Sequence, residues 1–262
     1  MKMPETAALR QRAEELGLAV GLLTRFPLPA FEKRTAASNG SAFWAYPLVG
    51  AAVGICAGAT FWLAIAAGFG TTVAALLAIA AMLLAGGGLH EDGLSDFWDG
   101  LGGGRSRAAK LAIMRDSRVG TYGALALFLT LALQVRLLVD LHYYTGPVTV
   151  AAGLIAAEAV ARGAIALPII CLAPAREDGL GRFMTELNAA PLAIGIAISA
   201  VIAGVALGSH GLVLIIGAIF GAAFVVLLAW RFLNGFTGDV LGATAATARL
   251  TALAALTLAM TP

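Results

Sequence analysis

The chain has 262 residues, of which 60% are hydrophobic and only 12% are charged. Soluble globular domains carry about 25% charged residues, so this composition excludes an ordinary soluble domain and predicts a chain that faces lipid. The net charge of +2 is too small to indicate a nucleic-acid-binding protein, and the two cysteines lie in separate apolar runs, which argues against a disulfide or a zinc site.

The first predicted element is an amphipathic helix over Thr6–Thr24, which we expect at the membrane interface. A membrane span needs about 20 apolar residues, and seven later segments approach that length. They are Phe43–Ala67, Thr71–Leu89, Thr121–Leu141, Val148–Leu172, Leu192–Leu207, Leu212–Phe232 and Leu241–Met260. These elements predict an all-α, polytopic membrane helix bundle that forms a single domain over residues 1–262. Leu192–Leu207 is the shortest segment, and a half-buried helix is the alternative there.

Lysine and arginine are distributed unevenly among the predicted connections. Six precede the first span and five lie between the second and third spans, whereas the connections near residues 68–70, 142–147 and 208–211 contain none. Because cytoplasmic loops carry the excess of Lys and Arg, residues 1–42 and the charged loops are predicted to be cytoplasmic. An inner-membrane protein with an odd number of spans would then have its C-terminus outside.

Arg136, Glu158 and Arg162 fall inside predicted spans. Charged groups are costly in a bilayer, so these side chains are expected to face the bundle interior. Glu158 and Arg162 are spaced i,i+4 and can pair with each other, although a role in substrate binding is the alternative.

The densest polar stretch, residues 86–100, follows the second span. At 3.6 residues per turn, Asp92, Asp96 and Asp99 fall within an arc of roughly 60° on one helix face. Like charges in this arrangement repel, and a divalent cation is the usual compensation. Carboxylates without thiols or a histidine pair favour a hard ion such as Mg²⁺. The alternative is a solvated acidic loop.

A basic, glycine-rich stretch follows directly, over residues 102–123. Its cations are Arg105, Arg107, Lys110, Arg115 and Arg118. A basic loop beside a membrane often only sets topology, but beside three carboxylates it indicates a site for a Mg²⁺-bound diphosphate. Residues 90–120 are therefore predicted to form a cytoplasmic catalytic loop.

Two further polar islands, Ala173–Phe183 and Arg231–Ala243, are predicted to lie on the same face. In the second, Asp239 opens a helix and is either an N-terminal cap or a ligand. His90 precedes Glu91, but no histidine stands at position 94, so the zinc motif H-E-x-x-H is absent. A capping or hydrogen-bonding role is favoured for this histidine.

Gly87–Gly104 and Met114–Gly123 resemble the signature motifs of the cobalamin synthase family, the adenosylcobinamide-GDP ribazoletransferases. The stretches Leu22–Pro27, Ala175–Gly181 and Asn234–Ala243 are similar to the family's other landmarks, in the same order. The sequence departs from the pattern at Glu91, where the family often has an apolar residue, and at Phe97-Trp98, which replace smaller residues. Neither departure removes a carboxylate.

The resemblance implies a Mg²⁺-dependent membrane enzyme with two substrates, adenosylcobinamide-GDP and α-ribazole or its 5′-phosphate, that releases GMP and forms adenosylcobalamin or its 5′-phosphate. On this hypothesis Asp92, Asp96 and Asp116 bind Mg²⁺, and Asp99, together with Asp96, is catalytic and accepts the proton of a ribose hydroxyl. The substrate-binding residues would be Arg105, Arg107, Lys110, Arg115, Arg118 and Asp239.

Three alternatives are less favoured. The aspartate spacing is also similar to that of the CDP-alcohol phosphotransferases, but Ser95-Asp96 stands where that family has Ala-Arg. A transporter of small solutes would place its essential acid near Glu158, and no internal repeat supports one. A non-catalytic scaffold would tolerate loss of the aspartates. The sequence leaves the oligomeric state open, including a homo-oligomer.

Overall fold

The computed structural model describes residues 5–27, 40–176 and 189–262, and the regular secondary structure of these residues is entirely helical. The helices are α1 (Glu5–Leu23), α2 (Tyr46–Ala66, preceded by a 3-10 turn at Ala42–Ala45), α3 (Thr71–Gly86), α4 (Leu89–Gly103), α5 (Arg107–Ile113), α6 (Thr121–Thr145), α7 (Pro147–Ala164), α8 (Ala166–Cys171), α9 (Ala189–Leu207), α10 (His210–Leu233) and α11 (Gly238–Met260). The predicted all-α class is confirmed.

Among the described residues, six helical segments are long and apolar enough to cross a membrane. They are α2 with its 3-10 turn, α6, α7 continued by α8, α9, α10 and α11. A seventh span is counted if α3 and α4 are taken together. The protein is therefore a multi-pass membrane protein, and α9, with 19 residues, is a full-length candidate span instead of a half-buried helix.

The predicted second span, Thr71–Leu89, does not continue as one straight helix. It ends at Gly86, and α4 leaves in a direction turned by 92°. Gly87 and Gly88 make the turn with φ angles of +67° and +68°, a left-handed conformation that glycine adopts without steric penalty. The first part of the predicted catalytic loop, up to Gly103, is thus a helix that carries four carboxylates and lies outside the six spanning segments.

Helix α4 crosses the first turns of α11 at very short range. A Cβ atom added to Gly93 would lie 3.0 Å from the Cα atom of Gly242, and one added to Gly242 would lie 3.1 Å from the Cα atom of Gly93. Small residues at both positions let the two backbones touch. This crossing places Asp92 and Asp239, each next to the contact, on neighbouring helices.

A buried ion network joins α4 to the centre of the bundle. Arg162 pairs with Glu158, as predicted, and Arg249 Nη1 lies 3.2 Å from Glu158 Oε1. Arg249 Nη2 also lies 2.6 Å from Oε1 of Glu91 on α4. Glu158, Arg162 and Arg249 are at most 1% exposed, so the guanidinium of Arg249 and the carboxylate of Glu158 compensate each other away from water.

Arg136 does not belong to this network. Its side chain is 71% exposed and pairs with Asp140 at 2.6 Å, so the prediction that it faces the bundle interior is wrong. The physical reason is its position in the second half of α6, where a long side chain can extend along the helix to a carboxylate one turn further on.

The predicted N-terminal helix is confirmed as α1, and it packs against the start of α2. Glu15, which is buried, accepts hydrogen bonds of 2.7 Å from Trp44 Nε1 and from Arg12. After the helix, the amide of Arg25 donates to the carbonyl of Ala85 at 2.9 Å. The segment therefore braces the turn between α3 and α4. Its location at a membrane interface stays a prediction.

Candidate functional site

Three carboxylates gather where α4 crosses α11. Asp92 is exposed, and Asp96, one turn further along α4, is half-buried, as is Asp239 on α11. The pKa of Asp96 is raised to about 7, first by burial and then by the negative charge of Asp92. Asp239 and Asp99 add smaller shifts in the same direction. Two members of the predicted acidic face, Asp92 and Asp96, thus lie near a carboxylate from a second helix, Asp239.

Asp99, the third member of the predicted arc, has a different environment. It is buried and accepts hydrogen bonds from the backbone amides of Gly120, at 2.7 Å, and Gly123, at 2.8 Å. These amides belong to the start of α6, whose first N–H groups have no partner within the helix. Asp99 thus joins the end of α4 to α6. Its predicted role as proton acceptor stays a prediction.

Asp239 is not the cap of α11. Thr237 occupies the cap position, and its hydroxyl accepts a hydrogen bond from the amide of Val240 at 3.3 Å. The same hydroxyl donates to Asp239 Oδ2 at 3.1 Å. The sequence left two roles open for Asp239, and Thr237 performs one of them, the capping of α11. The carboxylate of Asp239 faces the crossing of α4 and α11.

Asp116 lies apart from the other predicted metal ligands. It pairs with Arg118 at 2.5 Å, and hydrogen bonds from Arg118 lower its pKa to about 2. It does not contribute to the charges that shift the pKa of Asp96. Within residues 5–27, 40–176 and 189–262, no three His, Cys, Asp or Glu side chains form a ready-made metal site.

Three of the five predicted phosphate-binding cations are engaged by the protein itself. Arg107 donates to the carbonyl of Leu233 at 2.6 Å and to that of Ala175 at 2.8 Å. Lys110 donates to the carbonyl of Leu101 at 2.6 Å, and Arg118 holds Asp116. Leu101 and Leu233 belong to the last turns of α4 and α10, where carbonyls lack helical partners. Arg105 and Arg115 are exposed, as are Arg107 and Arg118.

The two predicted polar islands lie side by side. The amide of Ala175 donates to the carbonyl of Phe236 at 2.8 Å, and the amide of Phe236 donates to the carbonyl of Ala173 at 2.9 Å. The prediction that the islands share one face is confirmed for these residues. Residues 177–188, which include Arg182 and the rest of the first island, lie outside the described part of the chain.

Arg176 is the cation that sequence reasoning passed over. It donates to the carbonyl of Leu111 at 2.6 Å, and its positive charge lowers the pKa of Asp96. It therefore faces the carboxylates, although it lies about eighty positions beyond Asp96 in the sequence. The sequence indicated a role for Arg176 only through its position in Ala175–Gly181, a stretch that is similar to a landmark of the family.

A cavity of about 220 Å³ opens beside the carboxylates. Asp92 and Asp239 lie on its wall, together with Tyr46 and His90. Leu22, Leu23, Leu89, Gly93, Ile165, Gly238, Leu241 and Gly242 complete the lining. The hydrogen-bonding role favoured for His90 is not seen, since its Nε2 has no partner among the described residues.

Comparisons with known proteins agree with the resemblance in the motifs. The family model described as cobalamin-5-phosphate synthase matches residues 15–257. An adenosylcobinamide-GDP ribazoletransferase of Mesorhizobium japonicum is 38% identical over 248 residues, which cover 93% of each chain. A protein of the same name from Rhizobium johnstonii is 36% identical over 259 residues, 96% of this chain and 99% of its own. No solved structure is significantly similar.

Proposed function

Because the chain belongs to the cobalamin-5-phosphate synthase family, we propose that it is an adenosylcobinamide-GDP ribazoletransferase. A ribose hydroxyl of α-ribazole, or of its 5′-phosphate, attacks the phosphorus attached to cobinamide. The bond from that phosphorus to the bridging oxygen breaks, and the oxygen leaves with GMP. The structural observation that carries the proposal is the group of carboxylates from α4 and α11, which meet at one end of the bundle.

Asp92 and Asp239 are assigned to hold Mg²⁺ with the diphosphate. In proteins Mg²⁺ is usually held by one or two carboxylates plus substrate phosphates and water, which fits a site where the described residues form no group of three ligands. The chemistry of the donors also fits, because both are hard oxygen ligands. When bound, Mg²⁺ would neutralise charge on the diphosphate oxygens.

Asp96 is assigned to accept the proton of the attacking hydroxyl. Its pKa of about 7 lies close to neutral pH, where a general base is most effective. Asp99, by contrast, already accepts two backbone hydrogen bonds. Arg176, whose charge lowers the pKa of Asp96, is assigned to bind phosphate oxygens together with the exposed Arg105 and Arg115.

The site is assigned to the cytoplasmic face of the inner membrane. The support for this orientation is the sequence, in which Lys and Arg concentrate in the N-terminal segment and in the connections on the side of α4. A transporter is not favoured, because Glu158, the acid on which it would depend, is paired with Arg162 and Arg249.

The decisive experiment measures GMP release by detergent-purified protein supplied with adenosylcobinamide-GDP, α-ribazole 5′-phosphate and Mg²⁺. Asp92→Asn and Asp239→Asn should each lower turnover by about 100-fold or more, since each removes charge stabilisation at the reacting phosphates. Asp116→Asn is the matched control, and it should keep turnover near that of the unmodified protein because Asp116 pairs with Arg118. Near-normal turnover in both Asp92→Asn and Asp239→Asn would disprove the metal assignment.

A further inference from the structure

The cavity beside the carboxylates is mostly apolar, and it is formed by four helices and a junction. Four leucines of α1, α4 and α11 line it, with Ile165 from the junction of α7 and α8. An engineered cavity of about 150 Å³ with a similar lining binds benzene. The 220 Å³ measured here therefore has room for a flat ring system of two fused rings.

Two buried polar atoms, which belong to residues that line this cavity, have no hydrogen-bond partner among the described residues. They are Oη of Tyr46, a residue that is 1% exposed, and Nε2 of His90, a residue that is 4% exposed. Buried polar atoms are nearly always satisfied, so an unpartnered pair beside one cavity points to a ligand that brings a hydrogen-bonding group. A hydroxyl and an imidazole nitrogen can each donate or accept.

We infer that this cavity binds the dimethylbenzimidazole base of the acceptor substrate, an inference that rests on the proposed function. The base is a flat, largely apolar pair of fused rings with one unsubstituted ring nitrogen, which can accept a hydrogen bond from Tyr46 or His90. The ribose attached to it then lies at the side of the cavity formed by Asp92 and Asp239. This position brings its hydroxyl to the reacting phosphate.

The other groups in the reaction fit the cavity less well. Guanine carries several donors and acceptors, and with Asp92 and Asp239 assigned to Mg²⁺ the wall offers it the side chains of Tyr46 and His90, which would leave most of those groups unsatisfied. The corrin ring is far larger than a two-ring base. The size and polarity of the cavity therefore fit the acceptor substrate better than the donor substrate.

The test compares two acceptors, the ribosides of dimethylbenzimidazole and of unsubstituted benzimidazole, in a Leu22→Phe variant. Leu22 lies in the wall and is only partly buried, so a larger side chain can narrow the cavity without disrupting the bundle. The variant should raise the KM for the dimethylbenzimidazole riboside about tenfold, with little change for the smaller riboside. Leu16→Phe, at an exposed site on the same helix and outside the wall, is the control.

A second variant tests the polar atoms. Tyr46→Phe should raise the KM for both ribosides about tenfold, because one hydrogen bond is lost, and leave the KM for adenosylcobinamide-GDP unchanged. Equal effects of Leu22→Phe on both ribosides, or a raised KM for adenosylcobinamide-GDP instead of the ribosides, would overturn the inference. If the unmodified protein releases no GMP with either riboside, the proposed function itself fails.

Discussion

Glu91 and Asp92 are neighbours in the sequence, yet they belong to two different regions of the molecule. Glu91 points into the bundle, where Arg249 binds it at 2.6 Å. Asp92 is exposed and points to the cavity and to the Asp239 side of the helix crossing. A helix places consecutive side chains about 100° apart, so one residue step separates the buried network from the carboxylate group.

Paired and unpaired carboxylates have different effects on the protein. In the buried network each acid has an arginine partner, and the pair between Arg249 and Glu91 holds α4 in position. In the carboxylate group the pKa of Asp96 is raised first by burial and then by the negative charges of Asp92, Asp239 and Asp99. Repulsion between carboxylates lowers the stability of the folded protein, so a group of acids in this arrangement indicates a functional site.

Arg249→Met should have the largest effect on stability. It would leave Glu91 and Glu158 without a shared cation, which is expected to cost about 3–5 kcal/mol of unfolding free energy. Thermal unfolding in detergent measures the change. Arg10→Met, which removes an exposed pair with Glu14, is the control and should cost no more than about 1 kcal/mol. Equal stabilities of the two variants would show that the network does not hold α4.

Asp99→Ala should have an intermediate effect, and it separates a structural role from a catalytic one. Loss of two hydrogen bonds to a buried carboxylate is expected to cost about 2 kcal/mol of stability. The surviving folded protein should keep most of its turnover. If turnover instead fell by orders of magnitude with an unchanged melting temperature, Asp99 would be the proton acceptor and Asp96 would not.

The smallest expected effect is a pH dependence of Mg²⁺ binding. Because the pKa of Asp96 is raised, this carboxyl is protonated at low pH and ionises as the pH rises through about 7. A dication nearby favours the ionised form, so Mg²⁺ should bind about tenfold more tightly at about pH 8 than at about pH 6. Calorimetry in buffers of different ionisation enthalpy would detect the released proton. An Asp96→Asn variant that kept the same pH dependence would exclude Asp96 as its source.

The sequence was sufficient for the membrane class, for six of the seven predicted spans and for the position of the acidic stretch. Apolar runs and helical periodicity are local properties, so they predicted the all-α bundle and the pairing of Glu158 with Arg162. The bend after Gly86 was not predicted, because a pair of glycines is compatible with several turns.

Only the tertiary structure determined which charged side chains are paired. The sequence treated Arg107, Lys110 and Arg118 as phosphate-binding cations, but these three bind backbone carbonyls or Asp116. The carbonyl of Leu233, which Arg107 binds, belongs to a helix end that is 126 residues away in the sequence, so its position depends on how the helices pack. For the same reason Asp239 and Arg176 lie near Asp96 only in the folded chain. Composition, in contrast, was enough to predict a membrane protein, because it does not depend on how the helices pack.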